Sequence, residues 1–165
     1  MQPKVFLQLI GPAATIANRL TAIPASVTMA QAIDESGWGR AAVGNNLFGI
    51  KADASWNGPV VETPTREWVK ASKRYVVVQA KWRKYNSWQE SLTDHAKFFY
   101  DNSRYAPALA VRDNAKEFAQ QIWKCGYATD PTYPQKLIAL MDEFNLYQYD
   151  VTPEQYVLLD WAKQA

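Results

Sequence analysis

The stretch Ala30-Gln31-Ala32-Ile33-Asp34-Glu35-Ser36-Gly37-Trp38-Gly39-Arg40 decides the fold of this chain, together with Asn45-Asn46-Leu47-Phe48-Gly49-Ile50-Lys51, which follows it. An apolar helical pattern runs through the first stretch and ends at Gly37, as helices commonly end at glycine. Two carboxylates, Asp34 and Glu35, lie just before that end. The second stretch combines glycine with amide side chains, so it predicts a tight loop that can meet a ligand with backbone and amide groups.

Glu35 is the candidate proton donor. The methylene groups of a glutamate at this helix end lie in packed protein, and its carboxyl group lies near a cleft. Such burial raises the pKa of a carboxyl group enough for proton donation near neutral pH. Asp34 is not expected to act across a substrate from Glu35, because adjacent helical residues point about 100° apart. The pattern indicates glycoside hydrolysis, in which two carboxyl groups flank the scissile bond. Periodicity alone leaves open a simple surface glutamate.

The second carboxylate is expected from a β-prone segment, residues 52–86, that offers Glu62 and Glu67. Strand alternation places these two on opposite faces, because they are five residues apart. At most one of them therefore faces a cleft if the strand is unbroken, and Pro64 between them argues against an unbroken strand. The residues themselves do not decide between Glu62 and Glu67.

The remaining patterns are helical and predict an α+β fold that is mostly α. Capping and proline signals, with apolar residues at helical spacing, predict helices over residues 12–22, 24–36, from 87, from 114, 130–144 and 152–163. Residues 52–86 form a small antiparallel β lobe in this interpretation. We expect residues 1–165 to be a single catalytic domain.

The composition excludes several classes of protein. With 165 residues, a net charge of +2, one cysteine and one histidine, the chain needs no disulfide and offers no metal signature, so neither a metal nor a cofactor is expected. The alternation of basic and aromatic residues around Tyr75 favours a solvated sheet face over a nucleic-acid surface. The apolar patch 5–10 is too short for a membrane span or a signal peptide. We expect a monomer, with no nucleic-acid partner and no membrane insertion.

Several motifs, in a fixed order, resemble one family. They are Glu35-Ser36-Gly37-Trp38-Gly39, Asn46-Leu47-Phe48-Gly49-Ile50-Lys51, Asn102-Ser103-Arg104-Tyr105-Ala106 and Gly126-Tyr127-Ala128-Thr129-Asp130-Pro131. Together they resemble the glucosaminidase family of cell-wall hydrolases, glycoside hydrolase family 73, which includes the C-terminal domain of a flagellar rod-associated hydrolase. The resemblance covers about residues 12–145, and residues 146–165 are expected to form a C-terminal helical extension.

The resemblance implies a lysozyme-like fold, with a cleft between a helical lobe and the β lobe, and an endo-β-N-acetylglucosaminidase that cleaves the β-1,4 bond after N-acetylglucosamine in peptidoglycan. The general acid corresponds to Glu35, its partner to Glu67 with Glu62 as the alternative, and a functional tyrosine to Tyr127. The family's β lobe is mobile, so the partner is expected to serve as a base, or the substrate's acetamido group as a nucleophile. The residues expected to bind substrate are Trp38, Asn46, Phe48, Tyr127 and Tyr133.

Two alternative functions remain open from the sequence. A muramidase or lytic transglycosylase on the same fold would cleave the other glycosidic bond, and a non-catalytic module would only bind the wall. The chain is expected to be made in the cytoplasm without a Sec signal peptide and to act on periplasmic or cell-wall glycan strands. It would reach them by phage lysis, as an endolysin, or by dedicated export.

Overall fold

The computed structural model describes residues 1–69 and 73–164, without the side chains of Glu67, Val69 and Gln164. The helices are α1 (Pro3–Thr21), α2 (Ala25–Ser36), α3 (Trp88–Asp101), α4 (Ala106–Leu109), α5 (Ala115–Lys124) and α6 (Tyr133–Glu143). One antiparallel hairpin, β1 (Val60–Val69) and β2 (Arg74–Arg83), lies between α2 and α3. Within the described residues, none of the helices is both long and apolar enough to cross a bilayer.

Helix α1 begins at Pro3, much earlier than the predicted start at Pro12, which lies inside the helix. The prediction was wrong because it treated Pro12 as a helix start. The burial of apolar side chains outweighs the hydrogen bond that Pro12 cannot donate. Phe6, Ile10 and Ala14 are fully buried at helical spacing and face the core. Full burial of each large side chain contributes about 1.5–3 kcal/mol, comparable to the cost of an interior proline.

Helix α2 is the central helix, and it has the predicted bounds. Every residue from 25 to 33 is buried. Its first turn is held by Asp150, whose carboxylate accepts hydrogen bonds from the Ser26 N–H at 2.8 Å and from the Ser26 hydroxyl at 2.7 Å. It ends at Gly37, which adopts a left-handed conformation with φ +55°. The last turn of α2 therefore carries Glu35 out of the core at a defined place.

The hairpin is a regular ten-residue pairing in which Val60 lies opposite Arg83 and Val69 lies opposite Arg74. Strand β1 runs unbroken through Pro64, against the sequence-based argument. It is an edge strand, where the absent N–H of a proline is tolerated. The hairpin root is joined to the loop after α2, because Lys51 forms a β-bridge with Trp82. The loop that lines the cleft and the hairpin are therefore coupled.

The C-terminal segment differs from the predicted helix over 152–163. It forms 3-10 turns at Leu146–Tyr149, Pro153–Gln155 and Asp160–Gln164, with extended chain between the last two. The N–H groups of Val157 and Leu159 donate to carbonyls at the end of α1, at 2.8 and 2.9 Å. Those carbonyls have no partner within their own helix, so binding them competes with helix formation in the segment.

Candidate active site

An open cleft of about 350 Å³ lies at the end of α2. It brings together three of the predicted site residues, Glu35, Phe48 and Tyr127. The complete lining consists of Glu35, Phe48, Ile50, Lys51, His95, Phe98, Arg104, Tyr105 and Tyr127. One carboxylate, two cations and several aromatic rings therefore share a concave surface, which is the usual composition of a ligand site.

Glu35 is exposed to this cleft, in the last turn of α2. Its pKa is raised above 4.5, first because surrounding protein desolvates the carboxylate and then because Asp34 places a second negative charge beside it. The negative end of the helix dipole lies at the same end of α2. Asp34, which the sequence interpretation left as a solvated charge, thus helps to keep Glu35 protonated.

Tyr127 forms part of the cleft wall. It follows Gly126, whose φ of +84° turns the chain toward the cleft. The Tyr127 hydroxyl lies 3.0 Å from Nε2 of His95. Burial raises the pKa of Tyr127 well above 10, and the charge of Glu35 adds to that shift. The phenol therefore remains neutral and within electrostatic reach of the candidate acid.

His95 contacts two residues of this wall, Phe48 and Tyr127. The ring is buried and stacks on Phe48, with centroids 3.8 Å apart. Desolvation lowers the pKa of His95 to about 3, so the imidazole is neutral at physiological pH. Within the described part of the chain, the second ring nitrogen, Nδ1, has no hydrogen-bond partner. The structure therefore gives His95 a packed position, with a contact to Tyr127.

Tyr133, which was expected to bind substrate, is buried against Tyr127. Its hydroxyl accepts a hydrogen bond of 2.9 Å from the amide of Gln31, and its ring stacks on Tyr127 with centroids 5.7 Å apart. Gln31 lies one helical turn before Glu35 on α2, so the same helix positions the acid and holds this tyrosine. Tyr133 is buried and does not line the cleft; it supports Tyr127. Sequence reasoning missed Gln31, although its i, i+4 spacing to Glu35 was visible.

Asn46 organises the loop after α2. Its Nδ2 donates to the carbonyls of Ile50 at 2.9 Å and Arg83 at 3.0 Å, and its Oδ1 accepts from the Ile50 N–H at 3.0 Å. Both amide hydrogens are therefore used within the protein. The side chain is buried and fixes the loop to the end of β2. The substrate contact expected for Asn46 stays a prediction.

Trp38 is also placed away from the cleft. Its ring packs edge-on against Phe6 and Phe144, with centroid distances of 5.8 and 4.9 Å. Trp38 has a φ of +63°, the left-handed conformation that turns the chain sharply after α2. The structure therefore gives Trp38 packing contacts. Its expected contact with the sugar stays a prediction.

The two candidate second carboxylates occupy different places on β1. Glu62 is exposed, lies opposite Lys81 and forms an ion pair with it at 3.4 Å. It is not part of the cleft lining. The backbone of Glu67 lies opposite Val76, toward the far end of the hairpin, and its side chain lies outside the described residues. Among the described side chains that line the cleft, Glu35 is the only carboxylate.

Comparison with known proteins supplies the family. The profile of the glucosaminidase family, described as mannosyl-glycoprotein endo-beta-N-acetylglucosaminidase, matches residues 11–146. The chain belongs to the glucosaminidase family. The match agrees with the range of about 12–145 expected from the motifs, so the predicted family is confirmed.

Relatives of this glucosaminidase domain include two curated proteins. Peptidoglycan hydrolase FlgJ of Vibrio cholerae is 40% identical over 152 residues, which cover 87% of this chain and 45% of that protein. Exo-glucosaminidase LytG of Bacillus subtilis is 37% identical over 158 residues, with coverage of 90% and 54%. The chain thus spans about half the length of these relatives.

Solved structures support the same assignment. The glycoside hydrolase domain of Salmonella typhimurium FlgJ has a TM-score of 0.77 and 34% identity, with 90% of this chain and 91% of that chain covered. The catalytic domain of the autolysin Auto from Listeria monocytogenes has a TM-score of 0.77 and 35% identity, with coverage of 91% and 90%. The predicted α+β class, mostly helical with a small antiparallel lobe, is confirmed.

Proposed function

We propose that this glucosaminidase domain hydrolyses peptidoglycan, cleaving the β-1,4 bond after N-acetylglucosamine with Glu35 as the general acid. One observation carries the proposal: an exposed carboxyl group with a raised pKa faces the cleft beside Tyr127. A carboxyl group must be protonated to act as an acid, and desolvation favours that state. The similarity to FlgJ, a peptidoglycan hydrolase, and to LytG, an exo-glucosaminidase, supports the substrate and the bond.

In the proposed reaction, Glu35 donates its proton to the glycosidic oxygen as the bond to the anomeric carbon breaks. The leaving sugar departs as a neutral alcohol, and positive charge develops on the ring. In the inverting form, Glu67 accepts a proton from the water that attacks the opposite face. In the substrate-assisted form, the acetamido oxygen attacks first, and water then opens the ring intermediate while the Glu35 carboxylate takes up its proton. Tyr127 remains a neutral hydrogen-bonding group throughout, because its pKa lies well above 10.

Replacement of the acid tests this proposal. Glu35→Gln keeps the size of the side chain and removes its proton, so turnover of purified cell wall is expected to fall by about 10²- to 10⁴-fold while wall binding is retained. The matched control, Asp34→Asn, alters the adjacent exposed carboxylate and keeps an active enzyme. Unchanged turnover in Glu35→Gln would favour a non-catalytic wall-binding module.

Product analysis tests the bond. Mass spectrometry of digested wall is expected to show new reducing N-acetylglucosamine ends. Reducing or anhydro muramic ends would instead identify a muramidase or lytic transglycosylase. Early products of mixed length support an endo enzyme, as the family description states, whereas stepwise release from chain ends corresponds to the activity named for LytG.

The second carboxylate is tested by a matched pair of variants. Glu67→Gln is expected to reduce turnover by about 10²-fold or more if this group is the base. Glu62→Gln removes an exposed ion pair with Lys81 and is expected to leave turnover near the wild-type value. Full turnover in Glu67→Gln would favour substrate assistance by the acetamido group. We also propose that the domain acts as a monomer at the cell wall, which sedimentation analysis can check.

A further inference from the structure

Arg104 is a cation in the cleft that the proposed reaction does not use. It lies in the 3-10 turn Ser103–Tyr105 and is exposed. Its Nη2 donates a hydrogen bond of 2.8 Å to the hydroxyl of the fully buried Tyr105, and the guanidinium carbon lies 4.7 Å from the centroid of that ring. The guanidinium is therefore held in place at the cleft wall, with most of its five N–H donors remaining.

Among the described side chains, Arg104 forms no ion pair, whereas Arg83 pairs with Asp94 at 2.8 Å. The effects that raise the pKa of Glu35 are desolvation and the charge of Asp34, so Arg104 does not set the protonation of the acid. A fixed, unpaired guanidinium in a cleft is suited to an anionic ligand.

Arg104 lies beside Gly126 and shares a wall of the cleft with Tyr127. Gly126 is the neighbouring turn residue, and a Cβ atom placed on it would stand 3.9 Å from Nη1 of Arg104. Gly126 is followed by Tyr127, so the guanidinium and the tyrosine belong to one wall of the cleft. A substrate in contact with Tyr127 would therefore pass beside Arg104.

We propose that Arg104 binds a carboxylate on the lactyl side of the muramyl sugar, either the lactyl group's own where the peptide is absent or a peptide carboxylate where it is attached; this rests on the proposed peptidoglycan substrate. The N-acetylglucosamine units of the glycan are neutral. The muramyl unit carries a lactyl arm whose carboxylate is free when the peptide is absent, and the attached peptide brings carboxylates of its own. A planar guanidinium can bind either with two parallel hydrogen bonds. Arg104 thereby selects peptidoglycan over a glycan made only of N-acetylglucosamine.

Binding to three soluble tetrasaccharides tests this assignment. They are a muropeptide fragment, the same fragment after an amidase has removed its peptides, and an N-acetylglucosamine tetramer. Calorimetry in the Glu35→Gln background measures Kd without turnover. A hydrogen bond to a charged group contributes about 1.5–3 kcal/mol, so Arg104→Gln is expected to weaken the carboxylate-bearing ligands about 10- to 150-fold and to leave the tetramer unchanged.

Two further variants make the comparison decisive. Arg104→Lys keeps the charge without the paired donors and is expected to give an intermediate Kd. Arg19→Gln removes an exposed charge at the end of α1 and is expected to change none of the three affinities. Circular dichroism confirms that each variant is folded.

The outcomes separate the two carboxylate sources and the two proposals. Weakening for the muropeptide alone identifies a peptide carboxylate, weakening for the peptide-free fragment alone identifies the lactyl carboxylate, and weakening for both shows that Arg104 binds either one. Equal weakening for all three ligands, or none for any, overturns the role of Arg104. Wild-type protein that leaves intact wall uncut overturns the proposed hydrolysis itself, whatever Arg104 binds.

Discussion

Asn46→Ala tests whether this side chain organises the loop or binds substrate. The substitution removes three hydrogen bonds, two to the carbonyls of Ile50 and Arg83 and one from the Ile50 N–H. At a net contribution of about 1 kcal/mol each, the free energy of unfolding is expected to fall by about 3 kcal/mol. That is a large share of a total that is typically about 5–15 kcal/mol.

Urea unfolding followed by tryptophan fluorescence measures the effect. With a slope of about 2 kcal/mol per molar urea, the midpoint is expected to shift down by about 1.5 M. Asn46→Asp keeps the shape but turns a carboxylate oxygen toward two carbonyls, so it is expected to destabilise at least as much. Asn57→Ala, at an exposed loop position, is the control and is expected to stay within about 0.5 kcal/mol.

A contrary result would be clear. If Asn46→Ala unfolds at the same urea concentration as the Asn57→Ala control but loses affinity for glycan, the loop-organising role is refuted. Those results would support the predicted contact between Asn46 and the substrate.

Three further predictions follow from the packing and charges described above. The alkaline limb of kcat/KM is expected to have its midpoint above pH 4.5, and Asp34→Asn to move that midpoint down, because a charge that raises the pKa of Glu35 is removed; an unchanged midpoint would contradict the coupling. The only histidine, His95, is expected to show no imidazole titration by NMR between pH 5 and 8, since its folded pKa is about 3. Because the unfolded imidazole titrates near pH 6.5, the stability associated with it is complete above that pH and falls by up to about 1.4 kcal/mol per unit below it; a folded pKa near 6.5 would refute this. Gly11→Ala adds a Cβ that would lie 2.3 Å from the Tyr149 ring, so thermal unfolding is expected to show destabilisation of about 1–3 kcal/mol, whereas a gain would mean that helix propensity dominates.

Local sequence patterns correctly predicted the helix ends that are set by residues within one turn. The helix end at Gly37, the N-cap at Ser87 and the start of α5 after Asn114 are all confirmed, since each depends on residues within one turn. The predictions of a helix start at Pro12 and of a helix over residues 152–163 were wrong for the opposite reason. Their conformation is decided by burial of the other face of α1 and by hydrogen bonds to its carbonyls, which are contacts distant in sequence.

The same distinction applies to the candidate site. The helix end at Gly37 located Glu35, and the family motif that begins at Gly126 located Tyr127. Asn46 was assigned to substrate because an amide in a glycine-containing loop suits both a ligand and the loop itself, and only the distances to backbone atoms separate the two. Arg104 was quoted within a motif but received no role, because an exposed arginine has no sequence signal that tells whether its charge is paired.

The paired register of the hairpin limits how this arm can vary among relatives. Side chains alternate between the faces of a strand, so an insertion of one residue in each strand would turn every outer side chain to the opposite face. Two added residues in each strand would keep the faces and move the outer half about 7 Å further from the root. A relative whose arm is longer or shorter should therefore differ by an even number of residues in each strand, matched between β1 and β2. Only such changes keep position 67 on the same face of the hairpin.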